Sequence, residues 1–405
     1  MSISIEEALN IIYETGTVVP TEIIPIEMAL GRILAKDCVA AFDLPRFDNS
    51  SMDGYAVKYS DAGQTVTSKA ALYAGDAPDI ILEEHEAIRI MTGAPVPKGT
   101  DAIVPMEDVE VKGEKVILPQ NIRRGAHIRK AGEDLKNGTL FLEKGDKITT
   151  YKIILLVSQG ITHVEVYRPL NIVVFSSGDE LRSHYETIEA HQLYNSNTPM
   201  FLSRAKELGC EVQALPSVTD TVDALEEAIL SALHADIIIT SGGMNAGDKD
   251  FTKEAFINCG TRYHFTRVNV KPGAPIAFGK IQNTSVINLP GNPLGGMVIY
   301  ELFIRALIHK MSGEAAYFHH TITTEIGEDF FIRPGKYLIT LGAFDGSAFF
   351  PLKNQRPGML SVMQEAQAMM VTTPTTPSLQ KGDRVKIIPL SWEFFAKEKM
   401  DFFTQ

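Results

Sequence analysis

Several features that would classify a protein at a glance are missing from this chain. Its 405 residues include only three cysteines, Cys38, Cys210 and Cys259, far apart and without paired spacing. That argues against a zinc ribbon or disulfide framework and fits a reducing, cytoplasmic setting. A basic excess is also lacking: 38 Lys and Arg face 50 Asp and Glu, for a formal net charge of -12. With no phosphate-neutralising surplus, a general nucleic-acid binder is not expected. No uninterrupted apolar run approaches the ~20 residues a bilayer span needs, so no membrane anchor is expected. The first residues are acidic and amphipathic rather than basic then apolar, which argues against a signal peptide. GxGxxG after a strand, GxxxxGK[ST], HExxH and GxSxG are all absent, leaving nicotinamide, Walker-type, zincin and α/β-hydrolase readings without a motif. The ten histidines are scattered, and the adjacent pair His319 and His320 offers no chelating spacing.

What is present is an ordinary globular composition, 44% hydrophobic and 22% charged, in a chain long enough for about two to four domains. Ser4 followed by Glu7 predicts a capping box; Ile5, Ala8, Leu9 and Ile12 then share one helix face, and Gly16 supplies the stop. From about Val39 to Asp134 short apolar runs are punctuated by Gly, Pro and Asn, which predicts a strand-rich module. Residues 135–165 return to mixed helix and strand, so one domain inserted in another is the economical organisation. Between Leu170 and Gly313 strands alternate with helices: NIVVF, then NSNTPMFLSRAKELG, EVQALPSV, TVDALEEAILSALHA, DIIITS, FTKEAFINCG, SVINLP, and MVIYELFIRALIHKMSG after GNPLGG. This grammar predicts a parallel, doubly wound α/β sheet.

The unusual residues of that region cluster by position. SSGDE (176–180), SVTD (217–220), SGGMNAGDKD (241–250) and LPGNP (289–293) each follow the carboxyl end of a predicted strand, the edge where open α/β sheets bind ligands. Glycines let backbone amides approach an anion, and carboxylates hold a hard divalent cation, so a polyphosphate bridged by Mg2+ suits both. The simpler alternative is that Asp220, Asp248 and Asp250 cap helices and that Gly242 and Gly243 only turn the chain. Glu180, Asp220 and Asp250 on three loops of one edge exceed what capping requires. Arg123, Arg124, Arg129 and Lys130 in RRGAHIRK form either a solvated face or a contact for an anionic ligand.

Taken together, FDNSSMDGYAV (47–57), IRIMTGAPVPKGTDAIVPMEDV (88–109), RRGAHIRKAGEDL (123–135), SSGDEL, SGGMNAGDKDFT, VNVKPGAPIAFG (268–279) and LPGNP resemble the MoeA/gephyrin E-domain family. The resemblance implies a multidomain α/β and β fold. Its parts are an elongated, dimer-forming domain I (1–43 and 135–167), an inserted strand-rich domain II (44–134), an α/β domain III (168–314) and a C-terminal β-barrel domain IV (315–405). It implies insertion of molybdate into adenylylated molybdopterin with Mg2+-dependent pyrophosphate cleavage and AMP release. It further implies a homodimer whose cleft joins domain III of one subunit to domain II of the other, and transient contact with a molybdopterin adenylyltransferase. By the same resemblance Asp53, Glu180, Asp220 and Asp250 serve the metal and water around the phosphoanhydride, with Asp134 as a further acid. Metal ligation is assigned to Glu180, Asp220 and Asp250. Thr92, Ser177, Gly178, Ser241, Gly242, Gly243, Arg267, Pro290, Gly291, Asn292 and Pro293 line the substrate site, and Lys271 with Arg267 faces the oxyanion. Gly295 stands where the family commonly has Ser, and RPGKYLITLG with NQRPGMLSVM replaces an Arg-rich strand and a Gln-Ser-Ser stretch, with Lys336 and Arg356 as candidate substitutes. A tungstate-preferring or divergent paralogue, an adenylyltransferase and a noncatalytic scaffold are the alternative functions.

Overall fold

The structure, a computed structural model, describes residues 2–77, 79–243, 251–356 and 358–391. The chain divides into two compact units, one formed by Met1–Ala35, Gly145–Thr149 and His163–Gln405, the other by Lys36–Lys144 and Thr150–Thr162. The first unit opens with helix α1 (Ile5–Thr15). Both halves of the predicted capping box are made: the Glu7 amide donates to Ser4 Oγ at 3.0 Å and the Ser4 amide to Glu7 Oε2 at 2.7 Å. Ile5, Ala8 and Ile12 enter a core shared with Leu307 and Met311.

The second unit is strand-rich, as the sequence predicts. Its six-stranded sheet runs in the order Ala102–Pro105, Gly54–Val57, Glu86–Ile90, Thr65–Leu72, Lys115–Ile117, Glu110–Lys112. Alternation along the strands buries both faces, Tyr55, Val57, Ala87 and Val104 on one side and Ala56, Ile88, Ile90 and Ile103 on the other. The glycine of MDGYAV is a packing requirement, because a Cβ on Gly54 would stand 2.1 Å from the Val104 carbonyl oxygen. Helix α2 (Thr150–Ser158) belongs to this unit and is apolar on most sides; Leu156 is buried, whereas Tyr151, Ile154 and Val157 are exposed.

In the first unit a second six-stranded sheet has the order Glu211–Ala214, Asn171–Ser176, Ile237–Ser241, Thr284–Leu289, Ala277–Ile281, Arg262–Phe265. The first four strands are parallel. Helices α3 (Asn197–Glu207), α4 (Val222–Ser231) and α5 (Phe251–Asn258) alternate with them, and α6 (Pro293–Ile299) continues through a π turn at Tyr300–Ile304 into α7 (Arg305–Met311). Ile172, Val174, Ile237, Ile239 and Ile287 fill the core on one face, and Val173, Phe175, Ile238 and Val286 that on the other. Strands covered twice read as continuous apolar runs, which is what made NIVVF and DIIIT recognisable.

Two details differ from the sequence reading. The last two strands join by antiparallel pairings, so the sheet is mixed at that side. The final helix starts at Pro293, and GNPLGG is therefore largely its first turn, not a loop. Glycine is needed there because a Cβ on Gly296 would lie 2.9 Å from Phe201 Cζ of α3. Downstream, Ile322–Ile326, Tyr337–Phe344, Ala348–Pro351, Ala368–Thr372 and Arg384–Pro389 form a ring closed by pairing of the second with the fourth, the expected β-barrel. Among the described residues no helix is long and apolar enough to cross a membrane.

Candidate functional site at the α/β sheet edge

From Asn171–Ser176 the chain passes first to Glu211–Ala214 on one side and then to Ile237–Ser241 on the other. The strand order reverses at this point, and the crevice beyond the carboxyl ends of the two inner strands is where such sheets receive ligands. The four loops singled out in the sequence meet there. The Ser177 amide donates to Ser241 O at 3.0 Å, Gly178 to Val218 O at 3.3 Å, and Gly242 to Leu289 O at 3.2 Å. The glycines allow this closeness. Gly242 (φ +102°) would carry a Cβ 2.3 Å from Ser177 O, Gly243 (φ +67°) one 1.9 Å from Thr252 Oγ1, and Gly291 lies against the Gly242 Cα.

Beneath the glycines runs a polar network that sequence reasoning missed. Asn197 Nδ2 donates to Ser241 Oγ and to Gly291 O, both at 2.8 Å, and so fastens two loops to the start of α3. Ser241 Oγ in turn donates to Pro290 O at 3.3 Å, and Ser177 Oγ lies 3.4 Å from Thr252 Oγ1. The hydroxyls of Ser177 and Ser241 are thus buried between loops. Asn195 adds bonds to Thr198 and Ser217, and Thr198 Oγ1 lies 2.9 Å from Ser176 Oγ. YNSNTP reads as a generic polar helix start; nothing in its spacing announces partners 44 and 94 residues away.

The acids lie on the same edge. Glu180 is exposed, and its carboxylate packs over Gly178, where a Cβ would come within 2.7 Å of Oε2. Asp179 Oδ1 accepts the Asp220 amide at 3.3 Å, tying their loops together. Thr221, the residue after Asp220, occupies the N-cap of α4 and makes no side-chain capping bond. Asp248 and Asp250 lie outside the described residues. Among those described, no three His, Cys, Asp or Glu side chains are grouped to hold a metal. Asn292 is the N-cap of α6 without a side-chain bond, with buried Pro290 before it and Pro293 at the first helical position. Lys271 and Arg267 are exposed. Val270–Lys271 pairs with Tyr337–Phe344 of the barrel, and a Cβ on Gly273 would lie 2.4 Å from Ile299 Cγ1. Gly295 sits close by: a Cβ there would be a tight 3.3 Å from Pro290 Cγ and in ordinary contact, at 3.5 Å, with Gly273 Cα.

Asp53, Thr92 and Asp134 belong to the strand-rich unit. Asp53 Oδ1 accepts both the Thr92 amide at 2.7 Å and the Thr92 hydroxyl at 2.8 Å. Thr92 therefore orients Asp53. The amide bond first, then the hydroxyl bond, and more weakly the charge of Arg89, hold the Asp53 carboxyl below its usual range. Asp134 is exposed, its amide bonded to Leu44 O at 3.0 Å. The basic run of the same unit flanks a cavity of about 600 Å³, lined by Arg123, His127 and Arg129 with Asp108 and Glu133. Lys130 pairs with Asp48 at 2.7 Å. Thr92→Val removes one of the two bonds to Asp53 and is expected to raise that carboxyl's pKa towards its ordinary value. A depressed folded-state pKa contributes stability that is present above the unfolded value and lost as pH falls through the folded one. In the variant the contribution should therefore be smaller, and its loss should be complete at a higher pH than in the native chain. Carboxyl NMR titration checks it, and an Asp53 midpoint unchanged by the substitution refutes it.

Comparison with known proteins agrees with this geometry. Residues 3–160 match the MoeA N-terminal region (domain I and II), and residues 173–310 a probable molybdopterin binding domain. The molybdopterin molybdenumtransferase of Haemophilus influenzae is 37% identical over 298 residues, 73% of this chain and 74% of that protein. The protein of the same name from Staphylococcus aureus is 29% identical over 402 residues, 95% of each chain. The crystal structure of a molybdopterin biosynthesis MoeA protein from Pyrococcus horikoshii aligns with a TM-score of 0.84 at 25% identity, covering 97% of this chain and 100% of that one. With its fold, its glycine-lined sheet edge and these relatives in agreement, the chain belongs to the molybdopterin molybdenumtransferase (MoeA) family of transferases.

Proposed function

We propose that the protein inserts molybdate into adenylylated molybdopterin, cleaving the pyrophosphate bond and releasing AMP. The observation that carries this reading is the convergence of Gly178, Gly242, Gly243 and Gly291 with Glu180 and Asp220 on one sheet edge. Glycine-lined backbone admits a diphosphate closely, while flanking carboxylates make its approach depend on a cation. The donor set fits Mg2+, because it is made of oxygens and because Mg2+ is held by one or two carboxylates together with substrate phosphates. Glu180 and Asp220, with Asp250, would hold the ion, which when bound neutralises charge on the phosphoanhydride.

The chain's own groups supply the rest. The loops fastened by Asn197 keep the diphosphate in one pose, so the attacked phosphorus is presented in a fixed direction. Exposed Lys271 and Arg267 attract the oxyanion. Asp53, ionised and oriented by Thr92, positions water or the incoming group by accepting its hydrogen bond. In this reading the working form is a homodimer in which Asp53, Thr92 and Asp134 of one copy complete the site of the other. The exposed apolar face of α2 offers surface for such pairing. A molybdopterin adenylyltransferase would deliver the substrate, and the reaction would take place in the cytoplasm.

The deciding experiment incubates purified protein with adenylylated molybdopterin, with molybdate or tungstate, and with or without Mg2+. Stoichiometric AMP release that requires the oxyanion and stops on chelation is expected, and the arm with the lower half-saturating concentration identifies the preferred oxyanion. ATP consumption with free molybdopterin and no AMP release would instead identify an adenylyltransferase. Neither activity, with retained binding of molybdopterin, would identify a scaffold.

A further inference from the structure

We propose that Arg89 is an oxyanion-binding residue of the strand-rich unit, presenting its guanidinium fork beside Asp53 to a tetrahedral oxyanion. Arg89 lies on Glu86–Ile90, an inner strand of the sheet, opposite Tyr55 on one side and Ala71 on the other. It alternates with Ala87 on one face, while Ile88 and Ile90 fill the core on the other. An arginine in the middle of such a sheet needs a reason. Its Nε is buried without an acceptor, and among the described residues its guanidinium makes no hydrogen bond or ion pair. Other partly buried arginines of the chain behave differently. Arg168 is bidentate to Asp236, and Arg204 and Arg305 share Glu301.

Asp53 lies two residues before Tyr55, the strand partner of Arg89, and is bonded to Thr92, three residues after Arg89, yet the two charges make no ion pair. Asp53 Oδ1 is already taken by both donors of Thr92, and Arg89 is fixed by its neighbouring strands. The result is a planar, permanently charged group whose Nε is enclosed without an acceptor, on a strand adjoining the one that follows the oriented carboxylate of Asp53. A guanidinium in that state matches two oxygens of a phosphate or molybdate, which lysine does not do bidentately. The assignment rests on the proposed function only in naming a substrate phosphate or molybdate as the oxyanion.

The test is direct binding, without turnover. Inorganic pyrophosphate and molybdate are titrated separately into the full-length protein, Arg89→Met and Arg89→Lys by calorimetry, with folding verified by circular dichroism. At least one anion should bind about tenfold more weakly to Arg89→Met, with partial recovery in Arg89→Lys, which keeps the charge but loses the fork. Loss confined to pyrophosphate assigns the site to the substrate phosphates, loss confined to molybdate to the metal oxyanion, and loss of both to their shared chemistry. Arg46→Met, whose guanidinium stacks on Phe42, should bind as the native chain does. Equal affinities in the native protein and Arg89→Met, or no saturable binding by the native protein, would overturn the assignment. Because no AMP is measured, the result stands whether or not the molybdenum-insertion reading survives.

Discussion

Gly242→Ala is expected to lower the stability of the α/β unit by about 3 kcal/mol and, if the proposed reaction is the one catalysed, to reduce AMP release roughly 100-fold. Two costs act together. The backbone at residue 242 has φ +102°, a conformation that side chains with a Cβ rarely adopt, and the added carbon would stand 2.3 Å from Ser177 O. The obstacle is a main-chain carbonyl at the end of the neighbouring strand, so it yields only if that strand end moves. Movement there disrupts the Ser177 amide to Ser241 O bond that closes the switch point. Gly243→Ala is the useful comparison. Its Cβ would stand 1.9 Å from Oγ1 and 2.9 Å from Cβ of buried Thr252, also at positive φ, so it too should destabilise the unit, but by displacing the Thr252 side chain on α5 and not the Ser177 carbonyl. Protection of the Ser177 amide should therefore fall less in Gly243→Ala than in Gly242→Ala. Urea denaturation and hydrogen exchange at the Ser177 amide provide the measurements. An unaltered midpoint together with full protection of that amide would show that the edge accommodates a side chain.

How much of this was legible in the sequence depends on the range of the interaction. The capping box of Ser4 and Glu7 is complete within four residues, and the structure builds it as written. The twice-covered strands NIVVF and DIIIT declare themselves because burial on both faces leaves no polar position. The four ligand-edge loops follow from strand ends in a parallel sheet, a rule of topology that needs no distances. Asn197 was invisible because its two partners lie on loops that only the folded sheet brings together. Arg89 was hidden differently: one polar residue in a strand looks like the solvent side of an alternating pattern, and only the neighbouring strands reveal that its Nε is enclosed. Strand direction was equally unreadable at Ala277–Ile281, since a short apolar run fits either orientation. The family resemblance places Thr92 at the substrate, but the bond from its hydroxyl to Asp53, 39 residues away, is not visible in MTGAP and appears only once the strands pair.

Replacing Glu301 by Gln is expected to cost about 3 kcal/mol, since it leaves two partly buried cations without their shared counter-ion. Glu301 is 3% exposed and lies in the π turn between α6 and α7. Its Oε1 accepts Arg204 Nε at 2.6 Å, and its Oε2 accepts Arg204 Nη2 at 3.1 Å and Arg305 Nη1 at 2.9 Å. Both arginines continue to the end of the last barrel strand, Arg204 to Leu390 O and Arg305 to Pro389 O. One carboxylate thus links α3, the final helix and the barrel. Glu207 is the control: it also pairs with Arg204, at 2.5 Å, but its side chain is 62% exposed, so Glu207→Gln should change stability by no more than about 1 kcal/mol. The two variants separate burial from pairing, because each removes one carboxylate from the same arginine. Replacing Glu301, Arg204 and Arg305 together with methionine should recover most of the loss, since the main penalty of Glu301→Gln is uncompensated charge. Urea midpoints for the four proteins decide it. If Glu301→Gln and Glu207→Gln lie within about 1 kcal/mol of each other, the arginines find solvent or other acceptors, and the cluster does not hold barrel and helix together.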